Sequence, residues 1–131
     1  MGLKYLWDTN TVVDYLQKNF TESVQKSMDN LINKFRPAIS VITEIELLCW
    51  KASKQDDIAL LHSFISDCLI FELDREIKLK TIEIRRIYNL KLPDAVIAAT
   101  AFSNDLILIS NDRRGFNRIP ALKLFNPVLN R

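Results

Sequence analysis

Four short acidic motifs are spread along the 131-residue chain. They contain Asp8, the neighbouring pair Glu44 and Glu46, then Asp94, and finally Asp112. Carboxylate oxygens are the ligands that hard divalent cations such as Mg²⁺ prefer in proteins. If the fold gathers these motifs, the chemistry that they indicate is metal-dependent hydrolysis of a phosphodiester.

The elements that precede or carry these acids predict that they meet. Asp8 and Asp112 each follow an apolar run that is typical of a buried strand, and Glu46 and Asp94 each fall in the opening turn of a predicted helix. In an open parallel sheet, the carboxyl ends of the strands and the amino ends of the following helices share one edge, where ligands bind. We therefore expect one carboxylate cluster at that edge.

Each acid also has an ordinary structural interpretation. Asp8 could cap the first helix, and Thr43 with Glu46 has the spacing of a capping box. Asp94 is favoured in a first turn by the helix dipole, and Asp112 could begin a turn. These interpretations suffice for each acid alone, but the predicted convergence of all four favours a metal site.

Helix geometry alone leaves the second acid undecided. Glu44 and Glu46 each lie about 100° from Ile45, on opposite flanks of the apolar stripe that we predict to face the core. One of the two carboxylates would face the cluster and the other would face solvent or a neighbouring helix.

Strands alternate with helices along the whole chain. The predicted strands are Leu3–Trp7, Ala38–Val41, Cys68–Glu72, Leu106–Ile109 and a short edge strand, Leu122–Phe125. The first predicted helix is capped by Asn10 or Thr9. The other predicted helices start at Thr21, after Val41, at Gln55, at Asp74 and at Pro93. In the helix after Val41, the residues that we predict to face the core are Ile45, Leu48, Cys49 and Ala52. This alternation predicts a three-layer α/β/α fold with a central parallel sheet of four to five strands, as a single domain over residues 1–131.

Composition limits the classes of protein that need to be considered. The chain is 48% hydrophobic and 26% charged, which is ordinary for a globular domain and argues against disorder. No apolar run approaches the ~18 residues of a membrane span, and no secretion signal is recognisable at the N-terminus. Cys49 and Cys68 lie in apolar segments without metal-type spacing. We expect two buried thiols and a reducing, cytoplasmic location, without membrane association.

The net charge of +2 is too small to argue for a nucleic-acid partner by itself. Its distribution is more informative, because no acid follows Asp112. Arg113, Arg114 and Arg118 are therefore the best candidates for contacts with a phosphate backbone.

The order of the acids and their flanking residues resembles the PIN-domain ribonucleases, most closely the VapC-type toxins of toxin–antitoxin pairs. In that pattern the second acid directly precedes Leu, which selects Glu46 over Glu44. The departures are mild, with Ser110 where Thr is common and no small residue at Trp50 or Lys51. The matching stretches are Trp7–Asn10, Ile39–Thr43 with Glu46-Leu47, Leu92–Ala101, and Leu108–Asp112 with Phe116.

This resemblance implies a Mg²⁺- or Mn²⁺-dependent endoribonuclease. Asp8, Glu46, Asp94 and Asp112 would be catalytic, with Asp8 and Asp94 as the core metal ligands, Asp112 as a further ligand, and Glu46 completing or positioning the site. The other residues with expected roles are Asn10 and Ser110, which would orient carboxylates or water, and Arg113, Arg114 and Arg118, which would contact RNA.

The resemblance also implies partners for the chain. They are a cognate antitoxin protein and a second copy of the chain in a homodimer. Apolar side chains on the second helix and on the helix through Ile58 and Ile65 exceed what covering a thin sheet requires, so we expect interaction surfaces there.

Two other classes of protein fit parts of the sequence. Asp8 after an apolar strand also resembles the nucleophile of haloacid-dehalogenase-type phosphatases, but those enzymes need a second Asp where Asn10 stands. A non-catalytic RNA- or partner-binding domain is opposed by the intact set of four acids, because clustered carboxylates without a use only destabilise a fold. Metal-dependent cleavage of RNA distinguishes the three classes.

Overall fold

A five-stranded parallel sheet forms the centre of the protein, as the prediction of a three-layer α/β/α fold required. The computed structural model describes residues 2–51, 55–112 and 115–128. The strands are β1 (Tyr5–Trp7), β2 (Ala38–Ser40), β3 (Leu69–Phe71), β4 (Ile107–Ile109) and β5 (Leu124–Phe125). The helices are α1 (Thr9–Leu16), α2 (Glu22–Lys34), α3 (Val41–Cys49), α4 (Gln55–Asp67), α5 (Arg75–Tyr88) and α6 (Leu92–Ser103), with a 3₁₀ turn over Phe116–Arg118.

The strand order places the predicted site. The order across the sheet is β3-β2-β1-β4-β5, so the chain leaves β1 in one direction for β2 and β3 and later returns to its other side for β4 and β5. Leu6 of β1 lies opposite Ala38 of β2 and Leu108 of β4. The order therefore reverses between β1 and β4, and the carboxyl ends of strands at such a reversal border the crevice in which α/β proteins bind ligands.

The two faces of the sheet carry separate apolar cores. One is covered by α5 and α6, whose buried residues include Ile77 and Ile84, and the other by α1, α2 and α4, with Met28 and Phe64. The four alanines of α6 are wholly buried, which lets this helix lie close to the sheet. None of the helices in the described ranges has both the length and the apolar character needed to cross a membrane.

Most helix starts follow from local hydrogen bonding. Thr21 and Asp74 cap α2 and α5, and Pro93 lies in the first turn of α6, as predicted. The first helix differs from the prediction, because its cap is Asp8 rather than Thr9 or Asn10. Asp8 is therefore a helix cap as well as a candidate metal ligand.

The predicted orientation of α3 is wrong. Ile45 and Leu48 are 50% and 49% exposed, and Cys49 is exposed, whereas Thr43 and Leu47 are buried. Ala52, the fourth residue of the predicted core face, lies outside the described residues. The short helix lies where the two cores meet, because Ile42 packs against one core and Leu47 belongs to the other. Its orientation is thus set by two surfaces rather than by its own apolar stripe.

The predicted place of Glu46 in the opening turn of α3 is wrong, and so is the alternative interpretation of Thr43 and Glu46 as a capping box. The side chain of Ser40 caps α3 by accepting a hydrogen bond from the N–H of Ile42, at 3.1 Å. Glu46 consequently lies in the second turn of the helix and not in its opening turn. The carboxylate of Glu46 is available for tertiary contacts instead.

The two cysteines differ from each other. Cys68 is buried as predicted, and burial raises the pKa of its thiol to about 12. The prediction for Cys49 is wrong, since its side chain is exposed on the outward face of α3.

Candidate metal centre at the carboxyl edge of the sheet

Asp8 is held rigidly at the junction of β1 and β4. Its backbone N–H donates to the carbonyl of Ile109 at 3.2 Å, and its carboxylate accepts the N–H of Thr11 at 2.7 Å. The hydroxyl of Thr11 donates to the same Ile109 carbonyl at 3.0 Å. Only 4% of Asp8 is exposed, so the first acid is a buried side chain in a fixed rotamer.

Ser110 connects Asp8 with Asp112. The Ser110 backbone N–H donates to the carbonyl of Phe125 at 3.1 Å, which fixes the residue at the end of β4. Its hydroxyl oxygen accepts the N–H of Asp112 at 3.0 Å, and the same side chain is hydrogen-bonded to Asp8. Ser110 thus lies between the first and the last acid of the sequence.

Glu46 reaches the site from α3. Its carboxylate oxygen Oε1 accepts a hydrogen bond from the hydroxyl of Thr9, which follows Asp8 directly, at 2.6 Å. The negative charge of Glu46 also acts on Asp94. The structure therefore directs Glu46, the acid that precedes Leu47, toward the other carboxylates.

Asp94 lies in the first turn of α6 and is only partly buried. Its pKa is raised above the ordinary value, first by burial and then by the charges of Asp112 and Glu46, while Lys91 acts in the opposite direction. These interactions place Asp94 within electrostatic range of two of the other acids.

The pKa of Asp8 is shifted in the same direction. Burial raises its pKa, and Asp112 contributes in the same direction, although hydrogen bonds from Ser110 and Thr11 oppose the shift. Asp112 acts on both Asp8 and Asp94, and Glu46 acts on Asp94. The four acids thus form one electrostatically coupled cluster at the carboxyl edge of the sheet.

The donor set of this cluster suits a hard divalent cation. It consists of carboxylate oxygens, with no thiol or imidazole among the four side chains, and oxygen ligands favour Mg²⁺ or Mn²⁺ over softer metals. Within residues 2–51, 55–112 and 115–128, however, no three such side chains are already arranged around one point as a coordination sphere. The acids share one environment without being a preassembled cage.

The structure links the remaining predicted site residues less directly to the four acids. Asn10 is exposed in the first turn of α1. Arg118 is exposed at the end of the 3₁₀ turn that follows Asp112, and Arg113 and Arg114 lie outside the described residues. Thr9 is a further residue of this site that was not predicted from the sequence, because a hydroxyl beside an acid has no distinctive spacing and its contact is 37 residues away along the chain.

Comparison with known proteins agrees with this architecture. The profile of the PIN domain matches residues 5–122. The tRNA(fMet)-specific endonuclease VapC of Salmonella typhimurium is 31% identical to the chain, over 93% of the chain and 96% of the relative.

Solved structures resemble the fold over the same extent. The DNA-bound VapBC from Salmonella typhimurium superposes with a TM-score of 0.81 at 26% identity, covering 95% of this chain and 98% of that one. VapBC2 from Rickettsia felis, bound to a DNA fragment from its promoter, gives a TM-score of 0.80 at 25% identity with the same coverage. The resemblance found in the sequence is confirmed: the chain belongs to the PIN domain family and is similar to its VapC-type members.

Proposed function

We propose that the chain is a divalent-metal-dependent endoribonuclease that acts as the toxin of a toxin–antitoxin pair. The observation that carries the proposal is the coupled cluster of Asp8, Glu46, Asp94 and Asp112 at the reversal point of a PIN-family sheet. The endonuclease name of the Salmonella VapC, which matches nearly the whole chain, supports the same activity.

Asp8, Asp94 and Asp112 would hold the metal, with Glu46 completing the site. A bound Mg²⁺ or Mn²⁺ supplies the positive charge that polarises the phosphoryl group and lowers the pKa of a water molecule. The acids contribute by their placement. Asp8 is fixed by Thr11 and Ser110, so it presents one carboxylate oxygen in a constant direction.

Burial, and after it the charges of neighbouring acids, raises the pKa values of Asp8 and Asp94, so the ionised form of both carboxylates is disfavoured. A bound cation would offset both effects, because its positive charge stabilises the ionised carboxylates. Hydrolysis by water at such a site would leave 5′-phosphate and 3′-hydroxyl ends on the RNA.

Incubating the purified chain with a mixed RNA substrate distinguishes the proposal from its alternatives. We expect cleavage with Mg²⁺ or Mn²⁺, loss of cleavage with EDTA and its recovery when metal is added back. Hydrolysis of a small phosphomonoester without RNA cleavage would instead indicate a dehalogenase-type phosphatase. Asn10 already disfavours that alternative, because it cannot replace the carboxylic acid of the second position. RNA binding without cleavage would indicate the non-catalytic domain.

The arginines after Asp112 are proposed to contact the RNA backbone. Arg118 is exposed at the end of the 3₁₀ turn that follows Asp112, and Arg113 and Arg114 immediately follow Asp112 in the sequence. Replacing all three by glutamine should weaken binding of every RNA alike and reduce the slope of log K against log salt by about 0.7 for each lost contact with a single strand. An unchanged slope, measured by fluorescence anisotropy at several salt concentrations, would contradict this role.

The surface between α1, α2 and α4 is the proposed antitoxin site. Its groove, of ≈220 Å³, is lined mainly by apolar and aromatic side chains, including Ile32, Leu60 and Phe64, and Leu60 is 50% exposed. A groove between helices is suited to the apolar face of a helical segment. The solved relatives are complexes of VapC-type chains with VapB, which supports an antitoxin as the occupant.

A second surface, on α5, is proposed to join two copies of the chain. Leu79 and Ile82 are 51% and 49% exposed, and they line one open depression of ≈530 Å³ together with Arg86. Glu76 lies near the start of the same helix stripe and Arg86 near its end. Antiparallel packing of two α5 helices about a two-fold axis would bring Glu76 of one copy near Arg86 of the other, with Leu79 and Ile82 between them.

One substitution on each surface tests the two assignments separately. Leu60→Glu should weaken binding of the protein encoded by the adjacent reading frame by roughly tenfold to hundredfold, as expected for about 1.5–3 kcal/mol of lost apolar burial. Ile82→Glu should yield monomers by light scattering, whereas the charge-reversal control Lys26→Glu, at an exposed position of α2, should leave the dimer intact. A dimer unaffected by Ile82→Glu, or partner binding unaffected by Leu60→Glu, would contradict the corresponding assignment.

A further inference from the structure

Three side chains from two helices form a continuous hydrogen-bonded contact at the edge of the acidic cluster. Thr9 Oγ1, in the first turn of α1, lies 2.6 Å from Glu46 Oε1 and 3.0 Å from Thr43 Oγ1, both on α3. Thr43 is wholly buried, Thr9 is half-buried and Glu46 is exposed. The contact therefore runs from the protein interior to the carboxylate.

The proton arrangement in this contact follows from the chemistry of the groups. An ionised carboxylate can only accept, so the single hydroxyl proton of Thr9 goes to Glu46. Thr9 is also the donor in its contact with Thr43, so the hydroxyl oxygen of Thr43 is a second, more distant acceptor of the same proton. The short Thr9–Glu46 distance is typical of a hydrogen bond to a charged acceptor.

We infer that Thr9, supported by the buried Thr43, is a positioning residue that fixes the carboxylate of Glu46 against the other three acids. This inference rests on the proposed metal-dependent function and adds to it a residue that touches neither metal nor substrate. An exposed glutamate has several rotamers of similar energy, and an anchor at Oε1 restricts them.

The position of Thr9 in the chain gives this anchor a further consequence. Thr9 follows Asp8 directly, and the carboxylate of Asp8 is held by the N–H of Thr11 in the same helical turn. One turn of α1 therefore fixes the first acid directly and the second acid through a hydroxyl. The separation of the two carboxylates is set by local backbone geometry rather than by the longer path through the sheet.

Substituting Thr9 tests this role with two readouts, Mn²⁺ affinity by titration calorimetry and the rate of RNA cleavage. Thr9→Val keeps the shape of the side chain and removes the hydroxyl, and it should reduce both quantities by about tenfold or more, as losing a partner that orients a metal ligand usually does. Thr9→Ser keeps the hydroxyl and should remain close to the unsubstituted protein. In the Glu46→Gln background, Thr9→Val should have little further effect, because the carboxylate that it positions is already lost.

Three results would overturn the inference. Thr9→Val with unchanged Mn²⁺ affinity and cleavage would exclude a positioning role. An equal loss in Thr9→Val with and without Glu46→Gln would show that Thr9 acts through the fold and not through Glu46, a reading that a thermal-unfolding measurement would check. If the unsubstituted protein neither binds Mn²⁺ nor cleaves RNA, the proposed function itself fails and the inference fails with it.

Discussion

Replacing Asp94 or Asp8 by asparagine is expected to reduce metal-dependent RNA cleavage by on the order of a thousandfold or more. A metal ion at a phosphoryl group stabilises the transition state by several kcal/mol. If removing one ligand costs about 4 kcal/mol of that stabilisation, the rate falls about a thousandfold, because each 1.36 kcal/mol in the activation free energy changes the rate tenfold. The measurement is the initial rate of RNA cleavage at saturating Mg²⁺. Asp56→Asn, which makes the same charge change on the exposed start of α4, is the matched control. Cleavage by Asp94→Asn at the rate of this control would refute the proposed centre.

The same substitution at Asp8 should make the metal-free protein more stable. Burial raises the folded-state pKa of Asp8 above its unfolded-state value, so the stability of the unsubstituted protein is highest below the unfolded pKa and falls as pH rises through the folded pKa. Asparagine has no ionisable group, so the variant does not lose stability as the pH rises. Its side-chain oxygen can still accept the hydrogen bond from the Thr11 N–H that caps α1. The gain in melting temperature should therefore be larger at pH 7 than at pH 4. A melting temperature that falls at pH 7 would show that the carboxylate stabilises the fold.

The positions of Asp8, Asp94 and Asp112 could be predicted because they depend on chain order alone. Strands alternating with helices form a parallel sheet. In such a sheet, residues just after a strand lie at the carboxyl edge, and a helix that leads into the next parallel strand begins at the same edge. The structure has this arrangement, with Asp8 after β1, Asp112 just beyond β4 and Asp94 opening α6. No side-chain detail was needed for these placements.

The orientation of α3 could not be predicted in the same way. The rule that apolar residues face the core assumes that a helix packs against one surface, and α3 packs where two cores meet. Its exposed Ile45 and Leu48 follow from that placement, as does the burial of Thr43. A buried threonine is tolerated because its hydroxyl contacts Thr9, and this partner is identified only once α1 and α3 are placed side by side.

The choice between Glu44 and Glu46 is where the resemblance and the structure can be tested together. The sequence motif selects Glu46 because it precedes Leu47, and the structure gives Glu46 the Thr9 hydrogen bond and the interaction with Asp94. Glu46→Gln should therefore reduce RNA cleavage by tenfold or more, because it removes a charge from the metal site, whereas Glu44→Gln should leave the rate within about twofold.

The two variants are well-matched controls, since each removes one negative charge from the same helix, two residues apart. Any general effect of the lost charge on RNA binding should be the same in both variants. It would therefore change the salt dependence of RNA binding in both, but not the difference between their cleavage rates. A specific role for Glu46 appears as weaker Mn²⁺ affinity in Glu46→Gln alone. Equal losses in the two variants, or a larger loss in Glu44→Gln, would mean that the register of the motif, which selects Glu46 over Glu44, is wrong.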